Sequence, residues 1–139
     1  MATLIAGLFV LSACEEMEIS YGKLPSQARI FIETYFPTEQ CVRAERERDD
    51  GRKEYTAVLS NGAELKFDSS GLWLEVDCKF SLVPAGIVPD AIVADVATRY
   101  PSAGIYKIER QLGGYEVSIG SGLELIYSAD GQFIREDRF

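Results

Sequence analysis

The feature that most constrains this chain is an internal repeat, in which the second half restates the residue pattern of the first. Leu24-Pro25 recurs as Val88-Pro89, 64 positions later, and the offset falls to 60 from Tyr55 and Tyr115 onward. Further matched pairs are Phe36-Pro37 with Tyr100-Pro101, Ala44-Glu45-Arg46 with Ile108-Glu109-Arg110, Gly62-Ala63-Glu64-Leu65 with Gly122-Leu123-Glu124-Leu125, Phe67 with Tyr127, Gly71 with Gly131, and Trp73 with Phe133. Because a repeat of this length indicates one supersecondary unit used twice, we expect two copies of one fold. The change of offset falls at a turn, where an insertion is tolerated.

Each copy begins with a helix pattern. Pro25 and Pro89 suit the first turn of a helix, and Pro37 and Pro101 end it. Between them, apolar residues recur every four positions, which places them on one helix face. These residues are Leu24, Ala28, Ile32 and Phe36 in the first copy, and Val88, Ile92, Val96 and Tyr100 in the second.

Short alternating strands follow each helix. Tyr55, Ala57 and Leu59 alternate with Thr56, Val58 and Ser60, and Asn61-Gly62 is a strong signal for a tight hairpin. The pattern predicts an α+β fold of two tandem repeats, each one helix plus a four-stranded antiparallel sheet. The predicted segments are a signal segment at 1–13, a tether at 14–22, repeat 1 at 23–78, a linker at 79–87 and repeat 2 at 88–139.

The first residues are typical of an exported protein. Leu4 to Leu11 are uncharged and apolar, but too few to span a bilayer. Leu11-Ser12-Ala13-Cys14 resembles the lipobox of bacterial lipoproteins, in which the cysteine carries the lipid. The resemblance implies a periplasmic or cell-surface lipoprotein anchored through Cys14. No Lys or Arg precedes the apolar stretch, and the alternative is a buried first element of a cytosolic protein.

Composition excludes several function classes. The net charge of −8 disfavours nucleic-acid binding, because an acidic surface repels phosphate. The chain has no histidine, which removes the commonest general base and metal ligand. No Cys-x-x-Cys pair and no calcium-loop spacing is present, so we expect no metal, no cofactor and no enzyme.

Several of these segments resemble the PepSY-like proteins, a family also compared with beta-lactamase inhibitor proteins and common among exported proteins of Bacteroidetes-type bacteria. The matching stretches are Ala44-Glu45-Arg46, Ile108-Glu109-Arg110, Gly114-Tyr115-Glu116-Val117 and Asn61 through Trp73. The resemblance covers about residues 22–139 and implies an exported binding or inhibitory module. Its motifs are turn and core signals, so they imply a fold and no catalytic residues.

Candidate partner-binding residues come from two patterns. Residues 43–54 alternate in charge, and Arg46, Arg48 and Arg52 could form a recognition edge; the alternative is a solvated hairpin with weak ion pairs. Tyr35 and Tyr106 are aromatic in one copy only, which frees them to contact a partner. The repeated aromatic residues are expected to pack in the core.

Two other pairs are weaker candidates. Glu64 and Glu124 could act as paired carboxylates, but as repeat equivalents they are expected in separate modules, one in each sheet. Cys41 and Cys78 could form a disulfide in an oxidising compartment. They are expected on opposite edges of a four-stranded sheet, a separation beyond the reach of a disulfide unless the sheet curls.

The leading functional hypothesis is a lipid-anchored protein that recognises, and could inhibit, another envelope or extracellular protein. It predicts an aromatic patch on the uncovered sheet face. The alternative is a carrier of a small ligand in the cleft between the copies, which requires an apolar pocket with a few polar groups.

Overall fold

A single antiparallel sheet organises the molecule in the computed structural model, which describes residues 15–120 and 122–138. Strands that are neighbours in sequence are neighbours in the sheet throughout. The strands are β1 (Glu15–Ile19), β2 (Cys41–Asp49), β3 (Arg52–Leu59), β4 (Glu64–Asp68), β5 (Trp73–Asp77), β6 (Ile105–Gln111), β7 (Gly114–Ile119), β8 (Leu123–Ser128) and β9 (Phe133–Arg138). Helix α1 (Ser26–Tyr35) lies between β1 and β2, and helix α2 (Asp90–Arg99) lies between β5 and β6.

The predicted fold class, α+β with two tandem repeats of one helix plus a four-stranded antiparallel sheet, is wrong. β5 pairs with β6, with Val76 opposite Ile108, so strands from both halves belong to one nine-stranded sheet. Separate sheets would leave both of these strands with a free edge of unpaired backbone groups, and their pairing satisfies those groups. The described chain is mostly β, with two helices of 10 residues each.

The structure places a strand within the segment predicted as a tether, 14–22. Glu15–Ile19 forms β1 and pairs antiparallel with β2, and a short 3-10 turn follows at Tyr21–Lys23. The sequence of this segment, with Glu15, Glu16 and Glu18, is too polar to predict a strand. An edge strand at the surface nevertheless needs few apolar residues, and charges protect it from aggregation. The signal segment 1–13 and Cys14 lie outside the described residues.

Both helices pack on the same face of the sheet. Pro25 and Pro89 precede the first turns, and Ala28, Ile32, Ile92 and Val96 are buried, as the sequence predicts. One row of directly opposed residues crosses the sheet and is buried beneath the helices. It consists of Ala44, Ala57, Leu65, Val76, Ile108, Val117 and Leu125.

The turn between β4 and β5 brings the sheet close to α1. Gly71 has a φ of +90°, and a Cβ placed on it would lie 2.8 Å from the backbone nitrogen of Ala28. Only glycine combines this backbone conformation with so close an approach. Within the described ranges no helix is long and apolar enough to cross a membrane.

Candidate functional site

The sheet face opposite the helices is charged. Because successive side chains alternate between faces, residues one position away from the buried row point to this side. In its centre, Glu75 on β5 lies opposite Lys66 on one side and Glu109 on the other, and Glu109 lies opposite Glu116. We call the acidic face the carboxylates of β4–β8 in these two central rows: Glu64, Glu75, Asp77, Glu109, Glu116 and Glu124.

The acidic face is only partly neutralised by its own cations. Glu75 receives two lysines, with Lys107 Nζ at 3.2 Å and Lys66 Nζ at 3.7 Å. The Glu116 carboxyl instead lies beside Glu124, and hydrogen bonding to that group, burial and repulsion raise the pKa of Glu116 to about 7. Burial, followed by the charge of Glu75, also raises the pKa of Glu109. Like charges on neighbouring strands therefore oppose ionisation here.

The expected aromatic patch on the uncovered face is not what the described residues show. The large aromatics lie on the helix-covered side, where Phe67 and Tyr127 are fully buried and Trp73 is nearly so. Tyr115 is half-buried, and the guanidinium of Arg110 lies 4.0 Å from the centre of the Trp73 ring and 5.6 Å from that of Tyr115. The register explains the outcome, because Tyr55, Phe67 and Trp73 lie opposite one another and share the face of the core.

Two exposed apolar residues lie close together in sequence at one end of the sheet. Phe80 is 90% exposed and Leu82 is 65% exposed, and both lie in the segment that connects β5 to α2. They border a groove of about 600 Å³ between this segment and the connection from α2 to β6. We call it the end groove. Its side-chain lining includes Lys79, Phe80, Leu82, Arg99, Pro101 and Tyr106.

Glycines shape the end groove. A Cβ at Gly104 would lie 2.3 Å from Leu82 Cδ2, so Leu82 rests directly on the backbone of Gly104. The Phe80 ring reaches to 3.9 Å from the position of a Cβ on Gly62, in the β3–β4 turn. Leu82 is thus held against backbone at the mouth of the groove, whereas most of the Phe80 ring faces solvent.

The two tyrosines predicted to contact a partner lie in different places. Tyr106 is half-buried and lines the end groove, at a bulge where Ile105 and Lys107 pair with successive residues of β7. Tyr35 lies near the end of α1, with its ring 4.8 Å from that of Phe31, and lines a second groove on the helix side. The structure therefore does not bring Tyr35 and Tyr106 into one site.

The charged hairpin of β2 and β3 lines neither of these two grooves. Arg46 is half-buried and lies 3.6 Å from the Met17 sulfur, in the row of the sheet that contains Tyr55. Arg48 is exposed opposite Lys53, and Arg52 is exposed opposite Asp49. Because strand residues alternate, Arg46 and Arg48 point to the helix side and Arg52 to the other. The three arginines do not share one face.

The structure also gives the positions of the glutamate and cysteine pairs that the sequence suggested as candidates. Glu64 and Glu124 lie in one sheet and on one face, contrary to the expectation of separate sheets, but on β4 and β8, roughly 19 Å apart at the usual strand spacing. Cys41 and Cys78 are free thiols in the structure, and burial raises the pKa of the Cys78 thiol to about 11. Among the described residues no cluster of three or more acidic or cysteine side chains could hold a metal ion.

The sequence of this chain matches a known protein family. Residues 53–135 match the family described as "Putative beta-lactamase-inhibitor-like, PepSY-like". The chain belongs to this PepSY-like family. The predicted resemblance is confirmed. A comparison with curated proteins returns no match.

Solved structures of Bacteroides proteins share the fold. One, described as a "putative periplasmic protein" of Bacteroides vulgatus, is 40% identical, with a TM-score of 0.85 over 89% of this chain and 98% of its own. Another, described as a "putative calcium-regulated periplasmic protein" of Bacteroides thetaiotaomicron, is 36% identical, with a TM-score of 0.85 over 88% of this chain and 97% of its own. A third, a "putative periplasmic protein of unknown function" of Bacteroides vulgatus, is 33% identical, with the same TM-score and 88% and 99% coverage.

The sequence indicates only some of the residues that line the end groove. Tyr106 was found because it lacks an aromatic counterpart in the first copy. Phe80 and Leu82 were missed, because they fall in a connecting segment without periodicity. The available signal was two large apolar residues in a short loop, where solvent exposure makes polar residues the usual choice.

Proposed function

We propose that this PepSY-like chain is a non-catalytic, exported binding protein whose end groove receives a large apolar side chain from a partner protein. The single observation that carries the proposal is the exposure of Phe80 and Leu82, at 90% and 65%, beside the half-buried Tyr106. Exposed apolar residues gathered in one place mark interaction sites, and aromatic residues are frequent anchors at interfaces.

The geometry favours a protein partner over an enzyme substrate. The charged groups at the groove, Lys79 and Arg99, are already engaged, since Lys79 Nζ lies 3.0 Å from Glu64 and Arg99 makes two contacts to Asp95. Ser81 and Ser102 also line the groove, but Lys79, the amine in the same lining, is bound to Glu64 and is not positioned by a hydrogen bond to either hydroxyl in the described part of the chain. What the groove offers is apolar contact area with a polar rim, which is the usual composition of an interface.

A small-ligand carrier remains the second candidate, because a groove of about 600 Å³ falls within the range of ligand sites. A small ligand and a protein partner would need different surroundings in the end groove. A small ligand needs walls on most sides, whereas Phe80 projects its ring into solvent and can gain contacts only from something that covers it. The shape therefore favours the protein partner.

Position-specific cross-linking tests the proposal. Benzoylphenylalanine would replace Phe80 in one variant and Leu112 in another, and each would be irradiated in the native envelope. Leu112 is a matched control, because it is fully exposed but lies in the β6–β7 turn, at the far end of these strands from Tyr106.

The expected result is one protein adduct at position 80, absent at position 112 and reduced by unlabelled wild-type chain but not by its Tyr106→Ser variant. Equal adducts at both positions, or a small-molecule adduct alone at position 80, would contradict a protein partner in the end groove.

Lipid anchoring through Cys14 is a further part of the proposal and rests on the lipobox-like Leu11-Ser12-Ala13-Cys14. Two acyl chains on one protein hold it to a membrane surface without a spanning helix. The variant Cys14→Ala should move from the membrane fraction to the soluble fraction on centrifugation. A variant that stays in the membrane fraction would show that another element anchors the protein.

A further inference from the structure

We infer that the partner segment is basic: a lysine- or arginine-rich stretch that lies across the acidic face while its apolar side chain occupies the end groove. This inference rests on the proposed function and adds the chemistry of the partner. It follows from the charge of the sheet face that borders the groove.

The groove and the acidic face are continuous. Lys79, in the groove lining, donates to Glu64 on β4. Tyr106, on the other side of the groove, directly precedes Lys107, which lies opposite Asp77 on β5 and Ser118 on β7. A chain segment that leaves the groove toward the sheet therefore meets carboxylates at once.

The acidic face has more carboxylates than lysines that pair with them. Glu109, Glu116 and Glu124 lie on three successive strands, β6, β7 and β8. Lys107, beside them on β6, is already bound to Glu75. Cations from a partner would occupy the gaps between these carboxylates and relieve their repulsion, which is the condition for electrostatic complementarity at an interface.

The groups around Glu116 also favour a cation at this position. The carboxyl of Glu116 resists ionisation, because a hydrogen bond with Glu124, burial and the charges of Glu124 and Glu109 raise its pKa and Lys107 opposes them only in part. Gln111 donates to the same carboxyl, with Nε2 at 2.8 Å. A lysine or arginine placed there would lower the pKa of Glu116. Binding would therefore be accompanied by proton release near neutral pH.

Peptide binding to the full chain tests the inference. The probe is a short fluorescent peptide rich in lysine with one tryptophan, and its affinity is measured by fluorescence anisotropy. Two matched peptides carry alanine in place of tryptophan, or glutamine in place of every lysine. We expect each change to weaken binding about tenfold or more, since an aromatic anchor and several ion pairs are lost.

Protein variants assign the two effects to the two surfaces. Combined Glu75→Gln, Glu109→Gln and Glu124→Gln should lower the affinity for the lysine peptide about tenfold and weaken its salt dependence. Glutamine keeps the size of glutamate, and at position 75 its carbonyl oxygen can still accept from Lys66 and Lys107, so these variants are expected to fold. Glu15→Gln, on the sheet edge opposite Arg48, removes one charge outside the acidic face and should have little effect, whereas each single change on the acidic face should weaken binding measurably.

The failures are distinguishable. Equal affinity for the lysine and glutamine peptides, with a dependence on tryptophan that Phe80→Ser abolishes, would overturn the basic partner and leave the proposed groove intact. Lysine-dependent binding that ignores the tryptophan and the Phe80→Ser change would overturn the groove, and with it the inference that rests on it.

Discussion

The charge repulsion on the acidic face should be measurable as a pH dependence of stability, through Glu116. Its carboxyl holds a proton to about pH 7 in the folded chain, because of Glu124, burial and Glu109. In the unfolded chain the same group ionises near 4.5. A group whose folded pKa is raised contributes stability below its unfolded pKa, and that contribution is lost as pH rises through the folded pKa. Stability should therefore fall between about pH 4.5 and about pH 7.

The magnitude follows from the same values. The difference between 4.5 and about 7 sets an upper bound of about 3 kcal/mol on the change that Glu116 makes to the free energy of unfolding across this pH range. Solvent screens most of this at an accessible surface position, so about 1 kcal/mol is expected. Glu116→Gln should remove this slope and raise stability by about 1 kcal/mol above pH 7.

Urea unfolding across this pH range, followed by circular dichroism, measures the effect. Glu15→Gln is the matched control, because it changes the net charge equally but lies on the edge strand β1, outside the acidic face. Its slope should equal that of the wild type. If Glu116→Gln kept the wild-type slope, the argument that like charges on β6–β8 oppose one another would be refuted.

Two other predictions concern packing, both measured by urea unfolding. Gly71→Ala should cost about 3 kcal/mol, from strain at positive φ and from the clash with α1, whereas Gly51→Ala, with a φ of +77° and no neighbour within 4 Å, should cost about 1 kcal/mol. Equal losses would contradict close packing of the β4–β5 turn on α1. Tyr127→Phe should cost about 1.5 kcal/mol, because the buried hydroxyl donates to Asp95 at 2.6 Å. A change in unfolding free energy near zero would show that water replaces this bond without cost.

Much of the local structure could be predicted from the sequence. The four-residue spacing of Ala28 and Ile32, with proline before and after it, located α1, and the same pattern located α2. Asn61-Gly62 marked the turn between β3 and β4. These patterns predict local structure because each involves only one helix, strand or turn, whose conformation depends mainly on its own residues.

The pairing of β5 with β6 could not be predicted in the same way. Alternation tells which residues face the core, but it does not tell which strand edge meets which. Val76 and Ile108 look like core residues in either arrangement, and only the need to pair two free edges joins the halves. The acidic face depends on that joining, because Glu75 and Glu109 become neighbours only when β5 and β6 pair.

The site was predictable only in part for a related reason. The sequence placed Glu64 and Glu124 opposite the apolar face, which is correct, but in two sheets rather than one. Phe80 and Leu82 carry no periodic signal, because a connecting segment follows the packing of its neighbours and not a repeat.

The most direct test of the account is to map the bound lysine and tryptophan peptide on the full chain by amide chemical shifts in an isotope-labelled sample. Binding as proposed would shift the amide signals of residues 79–82 and 104–107 and those of the acidic face on β4–β8. Shifts confined to the helix-side groove, at Ile30, Tyr35 and Leu72, would place the binding surface on the other face of the sheet and contradict the account.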